Sequence, residues 1–188
     1  MEVKENAAAK NELVKSNFGP WGWSMIIVTF LFYYFWAGVG TDGHNLYPNA
    51  FAHAYGWDPH LLLGFATPAG IIGIIGTFVF GVLILKLKPR LTAGITIILT
   101  GIFYVLFGFV KSVTAYFIVL CIFTFFCQGF GITAPPTLMA NWFPRKKGIA
   151  LGWATIGAPF CTATFVAGLS ALLENFGITT AFAIAGGV

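Results

Sequence analysis

The run Thr41-Asp42-Gly43-His44-Asn45 sets a carboxylate and an imidazole two positions apart at the end of a long apolar stretch. A carboxylate in such a place can exchange a proton or pair with a cationic group, and an imidazole titrates near neutral pH, so the pair suits proton movement. Whether that chemistry is used depends on where the first helix ends. If it stops at Gly40, the run is an external loop of no special role. If it continues to about Ala54, Asp42 and His44 face a central cavity, because turning an ionisable group toward lipid costs about 2.5 to 3.5 kcal/mol.

Gln128 stands in the middle of a later apolar run, where an unpartnered amide is costly; it hydrogen-bonds either a neighbouring helix or a bound solute. Asn45, Tyr47, Asn49, Thr67, Thr133 and Trp153 are further candidates to line the same space, although threonines and aromatics abound in any membrane helix. Pro68, Pro135, Pro136 and Pro159 interrupt apolar runs, free carbonyls and bend the axis, as gating helices and fixed kinks both do.

The elements that must position these residues are set by solvent, and the solvent is lipid. The chain of 188 residues is 58% hydrophobic and only 9% charged, with a mean hydropathy of +0.86, far from a soluble balance. Uncharged stretches of about 18 to 27 residues match or exceed the roughly 30 Å hydrocarbon core, and only helices satisfy their own backbone there. The expected fold is therefore an all-α, polytopic membrane bundle. A net charge of +4 does not imply nucleic acid, since the basic residues sit in loops and the tail without forming a face. Cys121, Cys127 and Cys161 lie inside apolar runs without metal-site spacing and read as packing residues. No paired carboxylate site, nucleophile with base or phosphate-binding glycine loop is evident, so neither an enzyme nor a cofactor or metal is expected.

Residues 1–20 are polar and read as a cytoplasmic tail, followed by the bundle over 21–188. Helices are expected near 23–54, 59–85, 91–110, 113–140, 149–173 and 179–188. Asp58 with Pro59 marks one start, a side-chain acceptor before a residue that lacks an N–H. The last helix has about ten residues before Val188, too short to cross a bilayer, so the chain reads as truncated. Threading the helices alternately puts the tail, Lys86 to Arg90 and Arg145 to Lys147 on one face, with only Lys111 opposite. Basic flanks stay on the cytoplasmic side, so the amino terminus is expected inside a cell membrane. Gly94, Gly101 and Gly108, then Gly70, Gly73 and Gly76, then Gly148 and Gly152 supply small faces for close helix packing.

Two stretches carry a family resemblance. Asn141-Trp142-Phe143-Pro144-Arg145-Lys146-Lys147-Gly148-Ile149-Ala150-Leu151-Gly152 resembles the loop between helices 4 and 5 in the oxalate/formate antiporter and monocarboxylate group of the major facilitator superfamily. Gly81 to Arg90 resembles that superfamily's loop between helices 2 and 3: Gly81, Lys86 and Arg90 hold its glycine and basic positions, while Leu85 and Lys88 replace its aspartate and second glycine. The resemblance implies the N-terminal six-helix half of a twelve-helix transporter that holds substrate at the midplane and alternates access by rocking. It also implies the longer first helix, which turns Asp42 and His44 to the cavity; by residue type Asn45, Tyr47, Gln128 and Trp153 are the further substrate-side candidates, and Gly81, Lys86, Arg90, Arg145, Lys146 and Lys147 are expected in gating or cytoplasmic loops. The expected cargo is a small organic solute, a carboxylate on the resemblance, carried by antiport or proton-coupled symport. A neutral or cationic solute, or a half-size dimeric transporter, is the alternative. The expected partners are the solute, the bilayer, protons, and a missing C-terminal half or a second copy.

Overall fold

The computed structural model describes residues 18–187. Most of the tail expected over 1–20 therefore lies outside the described residues. Helices account for nearly all the rest, and no strand occurs among the described residues. Five rods are long and apolar enough to cross a membrane: Pro20–Tyr55, Pro59–Lys86, Pro89–Phe107, Val113–Trp142 and Lys147–Gly187.

The first rod is α1 (Pro20–Ala37), a π-helical turn over Gly38–Asp42, and α2 (Gly43–Tyr55). Its backbone stays helical through Gly40, so Asp42 and His44 sit inside the rod and not in a loop after it. Pro20 opens it at a position where the missing N–H costs nothing. Gly56, with a φ of 70°, closes it. The second rod is α3 (Pro59–Gly64) and α4 (Ala66–Lys86), with the Asp58 carboxylate accepting from the His60 N–H at 2.9 Å to cap its start. The third, α5, spans Pro89–Phe107. The fourth combines α6 (Val113–Gln128), a second π-helical turn over Gly129–Thr133, and α7 (Ala134–Trp142).

The fifth rod comprises α8 (Lys147–Thr155) and α9 (Gly157–Gly187). It is helical through Glu174 and Asn175 and breaks at Gly177, whose φ of 76° and ψ of 172° are not helical. Two helical pieces therefore share α9, the second being residues 178–187.

Packing follows the small residues more than the apolar ones, since lipid offers tails as apolar as leucine. The second and third rods pack along α6, and α9 packs on α1 with its first piece and on α5 with its last. A Cβ at Gly76 would come within 2.7 Å of the Phe125 carbonyl oxygen, and one at Gly108 would meet the Phe182 side chain at 2.7 Å. Gly70, Gly94, Gly148 and Gly152 face open space, so only part of each glycine series is used for contact. The buried centre is aromatic at the end away from the basic loops, with Tyr47, Phe51, Tyr104, Phe107, Phe123 and Phe182 in mutual ring contact. Large apolar side chains such as Phe78 and Leu85 remain exposed, the surface that acyl chains cover.

Candidate functional site

Helix 1 delivers its polar groups in two directions. Asp42, the last residue of the first π-helical turn, accepts a hydrogen bond on Oδ2 from the Thr162 hydroxyl of α9 at 2.6 Å. His44 sends Nε2 to within 3.3 Å of the Thr124 hydroxyl of α6. The two ionisable residues thus pair with threonines on different rods and not with each other. About two turns before Asp42 the Tyr34 and Thr164 hydroxyls meet at 3.0 Å, a second polar tie between α1 and α9.

Below this layer the first and fourth rods cross at close range. Both π-helical turns carry Gly-x-Gly, Gly38-Val39-Gly40 and Gly129-Phe130-Gly131, and the Trp36 ring lies where a Cβ on Gly131 would be. Trp36 Nε1 is a buried side-chain donor without a hydrogen-bond partner. A π-helical turn inside an α-helix stretches the backbone ladder and is found often where a site is built.

The remaining candidates are distributed unevenly. Asn45 and Asn49 are exposed on α2, with Thr41 one turn earlier and also exposed. Tyr47 is fully buried: its hydroxyl reaches the Val39 carbonyl at 3.0 Å and the Tyr104 hydroxyl at 3.0 Å. One proton each satisfies this chain if Tyr104 donates to Tyr47 and Tyr47 to Val39. Gln128 is 9% exposed, lies against Gly73 of α4 and donates to the Thr124 carbonyl at 3.4 Å. Thr133 donates to the Gln128 carbonyl at 2.9 Å. Thr67 is exposed on α4. Trp153 is 51% exposed, makes an edge contact with Trp23 at 5.8 Å, and stands near the basic end, away from the Asp42 layer.

The loop residues gather at one end of the bundle. Arg90 places Cζ 5.4 Å above the Trp142 ring, joining the start of α5 to the end of α7. Lys146 sits over Phe18 at 5.4 Å, and Phe18 stacks on Phe143 at 5.2 Å. Lys86 ends α4, Arg145 and Lys147 are exposed beside the α7 to α8 turn, and Gly81 is half-buried on α4 with nothing close to a Cβ there. Every Lys and Arg among the described residues lies at a rod end or in a connection, so only Asp42 and His44 bring ionisable acid and base groups to mid-rod.

Thr124, Thr162 and Thr164 in the polar contacts, and Trp36 at the crossing below them, are residues that the sequence does not single out. Their spacing is unremarked among many threonines, and only the approach of the rods gives Thr162 a carboxylate to serve.

No curated protein and no solved structure matches the chain significantly. The Major Facilitator Superfamily profile matches residues 10–188, nearly the whole sequence. With five membrane-crossing rods and a polar layer at mid-rod, this chain belongs to the major facilitator superfamily, a family of membrane solute transporters.

Proposed function

We propose that the protein carries a small organic solute across the cell membrane by proton-coupled alternating access, with Asp42 as the proton-binding group. The observation that carries this reading is Asp42 itself: a carboxylate at mid-rod whose hydrogen-bond partner is a hydroxyl rather than a cation. Such a group can be emptied and filled by a gradient, and an uncompensated charge at that depth is costly. His44 lies in the same layer, its Nε2 within 3.3 Å of the Thr124 hydroxyl, and adds a polar contact there. Asn45, Gln128 and the exposed Thr41 supply neutral hydrogen bonds toward the cargo.

The carboxylate class rests on the Asn141 to Gly152 resemblance, and Asp42 gives it a coupling rule. Two like charges about 4 Å apart repel by roughly 4 kcal/mol at an effective dielectric near 20. A carboxylate cargo would therefore enter only after Asp42 is protonated, and proton and cargo would move together as a symport. A second six-helix unit, as a C-terminal half or a second copy, completes the passage and supplies cations for an anionic cargo. The Lys86 to Arg90 and Arg145 to Lys147 connections face the cytoplasm with the amino terminus, by the retention of basic flanks. The confinement of Lys and Arg to rod ends favours a second reading, a neutral or cationic cargo.

Asp42→Asn tests both readings in sealed vesicles, because the amide still accepts from Thr162 but holds no exchangeable charge. For a carboxylate cargo, accumulation driven by a pH gradient is lost and exchange persists. For a cationic cargo, binding itself is lost. Unchanged accumulation removes Asp42 from the mechanism.

A further inference from the structure

From Asp42 outward, the first and fifth rods carry matched polar positions at single-turn intervals. On the first rod, Thr41, Asn45, Asn49 and His53 recur every four residues, all exposed; residues four apart lie one above another on a helix. On the fifth rod, Thr162, Ser170 and Glu174 fall on one such line, with half-buried Val166 completing it. Asp42 stands on the neighbouring line of the first rod, with Leu46, Ala50 and Ala54, and accepts from Thr162 at the inner end of the second line. Outward from this contact the two rods enclose a cavity of about 470 Å³ lined by Leu46, Ala50, His53, Ser170, Leu173 and Glu174, so that His53 is the member of the first polar line that reaches it. Leu46 is one turn beyond Asp42, so the cavity floor stops about 6 Å short of the carboxylate along the axis.

We propose that this groove between α2 and α9 is the proton entry path to Asp42, with His53 and Glu174 as the groups that collect protons at its mouth. The proposal rests on the reading of Asp42 as the proton-binding group. A space of this size holds water, which needs about 30 Å³ per molecule and polar partners, and Ser170, Glu174 and His53 supply those partners. Imidazole is the side chain whose ordinary pKa lies nearest neutral, and a carboxylate beside it attracts protons and orders water by its charge. Water in the cavity passes the proton to the depth of Leu46, and the remaining roughly 6 Å past Leu46 and Val166 to Asp42 exceeds one hydrogen bond, so at least one bridging water must enter there. The other titratable or charged groups at this end are Tyr55, Asp58, His60, Lys111 and Tyr116; Asp58 is engaged as the cap of α3. The path opens at the end opposite the basic loops, the side from which an inward proton gradient would be drawn.

The experiment needs no knowledge of the cargo for its first arm. Ala50→Cys is treated with a membrane-impermeant, charged thiol reagent in intact vesicles, against the background of the buried native cysteines. Labelling within about tenfold of an exposed-loop control such as Lys111→Cys is expected, because the reagent reacts only with wetted thiols. No labelling of Ala50→Cys means a dry groove and overturns the path while leaving Asp42 untouched. The second arm measures proton uptake with a pH-sensitive dye on adding formate, lactate or oxalate. The double variant His53→Gln, Glu174→Gln is expected to slow proton-coupled uptake about tenfold, a decade below the roughly 10²-fold loss for a group that transfers the proton itself, with cargo exchange retained. Coupled uptake at the wild-type rate overturns the path. If Asp42→Asn also couples normally, or no carboxylate moves protons in the wild type, the reading of Asp42 fails instead, and the path with it.

Discussion

The Asp42 carboxylate and the Thr162 hydroxyl meet at 2.6 Å across the first and fifth rods, 120 residues apart in sequence. The bond fixes the one mid-rod carboxylate to the helix that also carries Ser170 and Glu174. Thr162→Val keeps the shape and removes the donor. Hydrogen bonds to charged groups contribute about 1.5 to 3 kcal/mol, and the exposure of Thr162 places this one near or below the low end. A fall of about 2 to 4 °C in the melting temperature of the detergent-solubilised protein is expected, together with a changed pH profile of coupled uptake. A shift in stability with an unchanged profile would make the contact a tether only.

Gly131 and Gly152 separate a glycine that is needed from one that is not. A Cβ at Gly131 would occupy the space of the Trp36 ring, and nothing lies within 4 Å of one at Gly152. Gly131→Ala should destabilise by about 1 to 3 kcal/mol through overpacking. Gly152→Ala should stay within about 0.5 kcal/mol of the parent. Thermal unfolding of the two variants side by side checks this, and equal melting temperatures would refute the crossing at the π-helical turns.

Tyr47 and Tyr104 form a buried hydroxyl chain that ends on the Val39 carbonyl. Tyr47→Phe removes the middle member and strands both neighbours, at a cost of about 1 to 3 kcal/mol. Tyr104→Phe keeps the Tyr47 to Val39 bond and should cost only about 1 kcal/mol. The order of the two melting temperatures is the measurement. Cargo affinity should change little in either, because the rings lie in the aromatic core.

Gly177 carries the break in α9, at a φ of 76° and ψ of 172° that side chains with a Cβ avoid. Gly177→Ala should cost about 1 to 3 kcal/mol in backbone strain. Limited proteolysis of the variant at this end of the bundle should accelerate, and an unaltered rate would show that the break tolerates a side chain.

Much of the architecture was legible from polarity alone. Lys86 to Arg90 and Arg145 to Lys147 punctuate the apolar runs, because a charge in hydrocarbon is costly and a helix is the only open-ended backbone lipid admits. Asp58-Pro59 marked the start of α3 because a cap and a missing N–H are local requirements. The resemblance in Asn141 to Gly152 and the composition together pointed to the superfamily that the profile confirms. Trp153 shows the opposite case: its type and position suggest a cavity residue, yet it packs on Trp23 near the basic end. The Asp42-to-Thr162 bond, the wedge of Trp36 over Gly131 and the groove from Asp42 to Glu174 arise only when separate rods are brought together. Sequence determines where helices begin and end through interactions between near neighbours and solvent. Which faces meet depends on packing between distant segments, where one absent methyl group decides how close two rods can come.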